Sequence, residues 1–327
     1  MDINEIARLA GVSRATVSRY LNNGYVSQEK RRLISRVIQE TGYVPSQSAQ
    51  QLRTGKTNLV GVIIPKINSQ SVARMVAGIT EGFVGTDYQM LLANTNNSPD
   101  EELRYLRLFA DQNRVDGIIF MATVITSEHL KVMRALTTPL VILGQDLEGY
   151  NCVYHDDYRA SFEVSRFALR SCRQPAYIGV LPDDIAAGEM RHRGFTDACR
   201  AAGITPLPEA QVIGDFTVES GYLCCEQLMD TVPDIDTISC ATDDIAFGAI
   251  TCLAEYGHRV PDEVQVTGIG DSELSRILVP SLTSAHLFYK TSGREAAKML
   301  VAAMDGGDEI PRELKMGYEI YGRNSTR

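Results

Sequence analysis

No stretch of this sequence stays apolar for anything near 18 residues, so no segment reads as a membrane-crossing helix. The opening residues, MDINEIARLA, show neither a basic nor an apolar leader segment, and a cytoplasmic protein without membrane contact is expected. Histidine is scarce: there are five, and none stands in an HxxxH or HExxH spacing. No GxSxG elbow and no GxxxxGKS/T phosphate loop occurs. The seven cysteines (152, 172, 199, 224, 225, 240 and 252) form no CxxC pair and are odd in number. Disulfides and a zinc site are therefore not expected, and buried free thiols are. Gly268-Ile269-Gly270 follows a strand-like run, but Glu273 stands where a dinucleotide fingerprint needs its third glycine. Neither a cofactor, a metal nor a catalytic constellation is expected, which argues against an enzyme.

What is present is a basic head on an acidic body. Residues 1–58 hold nine Lys and Arg against four Asp and Glu; the remainder holds 23 against 37. At 44% apolar, 327 residues can bury a large core in two or three domains. The head reads as short capped helices. Asp2 and Glu5 suit a first helix with Ile3, Ile6, Ala7 and Ala10 on one face, and Gly11 turns the chain. Ser13 caps a second helix with Val17 and Leu21 inward and Arg14, Thr16, Ser18, Arg19 and Asn22 outward. Ser27 caps a third, about 28–41, with Leu33, Ile34, Val37 and Ile38 inward, and Gly42 ends it. An ordinary helical corner fits the first pair equally well; the basic balance favours a helix-turn-helix that lays its second helix in the DNA major groove.

From Leu59 onward strands and helices alternate. LVGVIIP, DGIIFMA and PLVILG are continuous apolar runs, as strands covered on both faces require. The β-α pattern runs once to about residue 155 and again from AYIGVL (176–181) to EVQVTGIG (263–270). Two doubly wound parallel-sheet subdomains are expected, with ligand in the crevice at the strand C-terminal ends. The acidic pairs Asp156-Asp157, Asp183-Asp184 and Asp243-Asp244 each fall between a strand and a helix, where capping is the expected role.

EIARLAGVSRATVSRYLN, TGYVPSQSAQQLRTGKT, MRHRGF, ATDDIAFGAI and PSLTS together resemble the LacI family of bacterial transcription regulators, over essentially the whole chain. GIGDSELS, YVSQEK and GYEIYGRNSTR look most like its sucrose operon repressors from Gram-positive bacteria. The resemblance implies a helix-turn-helix domain over 1–45, a hinge helix and linker over 46–58, and a periplasmic-binding-protein-like core over 59–327. Within that core, one subdomain would take about 59–156 and 286–315, the other about 157–285 and 316–327. It implies a homodimer on double-stranded operator DNA, with Ser13, Arg14, Ala15, Thr16, Ser18, Arg19 and Asn22 facing the groove. Ala49 would pack against the mate, and Leu52 would wedge between base steps.

For a small sugar effector, sucrose-class or phosphorylated, the resemblance assigns Arg191 as a grip on hydroxyls, Phe216 as a stacking platform and Thr242 as a polar contact. Asn68, Ser69 and Gln70 would line the other wall, with Gln145 at the end of PLVILGQ. The family usually reads G-F/Y-D-D/N at residues 268–271, whereas this chain reads Gly268-Ile269-Gly270-Asp271. Either Asp271 supplies the contact from one position away, or the pocket is roomier there. Two other readings, a sugar-binding transport protein and a global regulator using a protein co-effector, share much of this pattern.

Overall fold

The computed structural model describes residues 1–22, 24–43, 56–111, 114–232, 234–306 and 310–327. The chain divides after Thr57 into two compact units. The first holds α1 (Ile3–Leu9), α2 (Arg14–Leu21) and α3 (Gln28–Thr41). Asp2 accepts the Glu5 amide at 2.8 Å and Ser13 accepts the Thr16 amide at 3.2 Å, each satisfying a helix-start donor. Ser27 occupies the N-cap of α3 without a side-chain cap bond, and Gly42 ends the helix at φ 62°. Ile6, Ala7, Ala10, Val17 and Ile34 close a small core. Leu33, expected inward, is 40% exposed. The inward stripe of α3 runs through Ile34, Val37 and Ile38, and Leu33 stands one position, about 100° of helix rotation, before it.

The second unit contains two six-stranded sheets. The first is ordered β11-β5-β4-β3-β1-β2, from β1 (Leu59–Ile64), β2 (Gln89–Asn94), β3 (Gly117–Phe120), β4 (Leu140–Leu143), β5 (Asn151–His155) and β11 (Glu313–Met316). All its pairings are parallel. Val60, Val62 and Ile64 of β1 enter the core under α4 (Gln70–Gly82) and α12 (Tyr289–Met304). Ile63 points the other way, to Phe109 of α5 (Pro99–Ala110) and Met133 of α6 (Ser127–Ala135). Period-two alternation with both faces covered is why the run is apolar throughout. A Cβ on Gly78 would lie 1.8 Å from the Lys290 carbonyl, and one on Gly293 would lie 2.0 Å from that of Met75. Only glycine lets α4 and α12 approach this closely.

The second sheet is ordered β12-β10-β9-β8-β6-β7, from β6 (Pro175–Gly179), β7 (Gln211–Ile213), β8 (Thr237–Cys240), β9 (Gln265–Ile269), β10 (Thr283–Leu287) and β12 (Tyr318–Tyr321). It is parallel except for antiparallel β12, an edge strand the parallel expectation did not include. Its helices are α7 (Asp157–Ala168), α8 (Arg191–Ala201), α9 (Val218–Thr231), α10 (Asp243–Glu255) and the single turn α11 (Leu274–Ile277). The chain passes from one sheet to the other after His155, after Leu287 and between Met316 and Tyr318. In both sheets strand order reverses beside the first strand laid down, β1 or β6, leaving a switch point at the C-terminal ends. Among the described residues no helix is long and apolar enough to cross a membrane.

Candidate functional site

In the head, α2 leaves Arg14, Ala15 and Arg19 exposed. Neither guanidinium makes an ion pair among the described residues. The shorter polar side chains are partly engaged: the Thr16 and Ser13 hydroxyls pair at 2.9 Å, and Asn22 donates its amide to the Ser18 carbonyl. This face can therefore offer two free arginine forks and an alanine methyl, groups that read guanine edges and a thymine methyl respectively. Ala49 and Leu52 lie outside the described residues.

In the core, one cavity of about 370 Å³ opens at the strand ends of both sheets. That volume suits a small polar ligand. Asn68, Ser69, Gln70, Gln145, Arg191, Phe216 and Thr242 all line it. The loop after β1 brings the first three, and Ser69 stands at the N-cap of α4. Phe216 precedes α9, half-buried against the second sheet's core with the rest of its ring at the cavity. Thr242 spends its hydroxyl on capping α10, accepting the Ile245 amide at 3.3 Å.

Arg191 is 5% exposed and held from several sides. Its Nε and Nη2 donate to Asp157 Oδ1 at 2.8 and 2.7 Å, and Nη1 donates to the Ala241 carbonyl at 2.7 Å. The R-x-x-G-F pattern explains the placement. A Cβ on Gly194 would lie 2.5 Å from the Tyr158 carbonyl, so glycine lets α8 settle on α7 and carries Arg191 to Asp157. A π-turn, Ile185–Met190, runs directly into α8. Burial pushes the Asp157 carboxyl up to about 6, against the pull of Arg191.

The acidic pairs divide by role. Asp156 caps α7 and Asp184 caps the π-turn, as capping predicts. Asp157 and Asp243 do other work: Asp157 pairs with Arg191, and Asp243 is buried and accepts from the Ser272 amide and the Ser275 and Ser284 hydroxyls. Gln145 is spent across the crevice, its Nε2 donating to the Thr123 carbonyl and to Asp184 Oδ1, each at 3.1 Å. Arg74 makes a second crossing, Nη1 donating to the Gly270 carbonyl at 2.8 Å.

Asp271 is a correction. It does not line the cavity; its carboxylate turns back to Arg276 at 2.7 Å, His286 at 3.0 Å and Arg323. Burial alone would raise that carboxyl, but the His286, Arg276 and Arg323 donors outweigh burial and hold it well below the usual range. Gly270 meets the cavity instead, at φ 137° and without a side chain, so the roomier alternative describes this stretch. Sequence reasoning missed Lys66, Arg74, His155, Asp244 and Tyr289 in the lining. Asp244 lies within the ATDDIAFGAI motif, two places after Thr242, whereas nothing local marks His155 at a strand end or Tyr289 at a helix start.

Comparison with known proteins gives a consistent result. Residues 2–46 match the model for bacterial regulatory proteins of the lacI family, and residues 164–326 match the periplasmic binding protein-like domain. A sucrose operon repressor of Staphylococcus xylosus is 33% identical over 300 residues, covering 91% of this chain and 92% of the relative. Among solved structures, a transcriptional regulator CelR–cellobiose complex aligns over 99% of both chains at 28% identity and TM-score 0.77. The lac repressor dimer bound to operator and the anti-inducer ONPF aligns over 100% of this chain and 99% of that one, with TM-score 0.89. At 22% identity it speaks to the fold.

Proposed function

The chain belongs to the LacI family of bacterial regulatory proteins, and from that premise we propose that it represses a sugar-utilisation operon under the control of a small sugar-type effector. The observation that carries this is the joint presence, in one chain, of an arginine-bearing helix-turn-helix and a two-walled polar cavity. Relatives of this kind are transcription regulators and not enzymes, and one is by name a sucrose operon repressor. The cellobiose complex supports a glycoside as the class of ligand. Sucrose-class sugars and phosphorylated sugars both fit a wall that offers Asn68, Gln70 and Asp244 to hydroxyls and Phe216 to a sugar face.

The acting species is a cytoplasmic homodimer on operator DNA. The operator-bound lac repressor dimer supports that arrangement. Residues 46–55 of the expected hinge lie outside the described residues. Control acts through the crevice. Gln145–Asp184 and Arg74–Gly270 already tie one wall to the other, and a ligand competing for or adding to these ties favours one placement of the walls. It can shift the balance only by the difference in its affinity for the two placements. Selection of duplexes from a random pool with the full chain tests the DNA half: an inverted repeat should emerge, and a pool without symmetric enrichment would refute the reading.

A further inference from the structure

One end of the cavity holds side chains that hydroxyl recognition leaves without a task. Tyr289 is their hub. The Arg74 guanidinium lies 5.3 Å from its ring centroid, His155 packs edge-on against it at 4.9 Å, and the Arg191 charge lies close by. His155 is 6% exposed, lines the cavity, and leaves Nε2 without any hydrogen-bond partner. Native proteins rarely keep a buried nitrogen unpaired, so the open position is itself a sign that something else completes it.

The charges are also unequal. Arg74 spends one nitrogen on the Gly270 and Asp271 carbonyls and meets no carboxylate among the described residues. Gly270 has no side chain to offer, and the Asp271 carboxylate is turned to Arg276, Arg323 and His286. Lys66, after β1, lines the same cavity and makes no ion pair among the described residues. Opposite them, Asp157 is neutralised by Arg191, Asp184 accepts from the Ala187 amide and Gln145, and Asp243 is saturated by serine donors. Only Asp244 among the lining carboxylates is without a partner in the described residues. Burial, with Arg191 and Arg74 nearby, pushes His155 down to about 3, so it stays a neutral imidazole able to present an N–H from Nε2.

We propose that Arg74, His155 and Tyr289 form a subsite for an acidic group, so that the effector is a polyhydroxylated molecule carrying one carboxylate or phosphate. The inference rests on the sugar-type reading above and narrows it. An oxyanion placed beside Arg74 gains a charge-assisted donor and completes His155, while the hydroxyls face Asp244 and Phe216.

Calorimetric titration of the full chain with glucose, sucrose, gluconate and glucose 6-phosphate tests this. At least one acid should bind about tenfold or more tighter than either neutral sugar, and comparing the two acids tells carboxylate from phosphate. Arg74→Gln should cut the preferred acid's advantage over glucose about tenfold, and Arg74→Lys should recover part of that advantage. An unchanged circular dichroism melt shows that the variants fold. The proposal is overturned if a neutral sugar binds as tightly as both acids, or if Arg74→Gln leaves the acid's advantage unchanged. Neutral binding without acid preference defeats this inference alone; absence of heat with all four compounds defeats the sugar-type reading as well.

Discussion

Replacing Arg191 with leucine probes the most tightly built element of the cavity. The guanidinium and Asp157 are 5% and 4% exposed, joined at 2.7 to 2.8 Å, with a further bond to the Ala241 carbonyl. Leucine fills some of the volume but leaves Asp157 and that carbonyl unpaired. Breaking a buried pair from one side costs about 3–5 kcal/mol. For a core of this size each kcal/mol moves the melting temperature by about 2–4 °C, so a fall of roughly 6–20 °C is expected. Arg191→Leu combined with Asp157→Leu removes both charges and should recover most of the loss.

The deficit should also depend on pH. Burial already pushes Asp157 up to about 6 with the cation beside it, and removing the cation raises it further. Above the ordinary carboxylate range the folded variant then holds a proton that the unfolded chain has released. Its stability therefore falls as pH rises through that window, and the deficit is smaller near about pH 5 than near about pH 8. Thermal unfolding by circular dichroism at the two pH values reads both effects. A fall below about 2 °C, or a double variant as unstable as the single one, would refute the buried-pair account.

Arg19→Ala should weaken binding to a selected operator by about 1–3 kcal/mol and relax preference at one base position, measured by fluorescence anisotropy across base variants. Asp271→Asn leaves Arg276 and Arg323 without their carboxylate and should cost about 3 kcal/mol in thermal unfolding. Because the native Asp271 carboxyl sits below its ordinary value, its contribution is present above the unfolded range and fades as pH falls below about 4, so native and variant melts should converge in acid. Gly293→Val forces a side chain into the Met75 carbonyl and should part α4 from α12, seen as a lowered melt and aggregation, whereas Gly317→Val, with open space around it, should be milder.

Much of the fold was legible because the signals are local. Period-two and continuous apolar runs marked the strands, and Asp2, Ser13 and Gly42 bracketed the head helices where capping requires them. The long helix α12 was not read from pattern. Between Tyr289 and Leu300 its buried side is alanine, serine and glycine (Ser292, Gly293, Ala296, Ala297), small residues suited to close approach to α4, which leave little hydrophobic contrast. Seven expected effector residues met at one cavity because six stand just past strand ends, where topology opens the crevice, and Arg191, at the start of α8, is drawn there by Asp157. Asp271 failed for a reason invisible in sequence: Arg323 and His286, far along the chain, draw its carboxylate away. Arg74 and His155 were missed likewise, since only the fold sets them around Tyr289.

In a regulator of the proposed kind, occupation of the crevice is coupled to operator binding. Ligand titrations of the full chain with and without its selected operator, paired with operator titrations with and without ligand, measure the coupling twice. A change of about five- to 150-fold is expected, equal in both directions, as linkage demands. A ligand that saturates the cavity yet leaves operator affinity unchanged would contradict it.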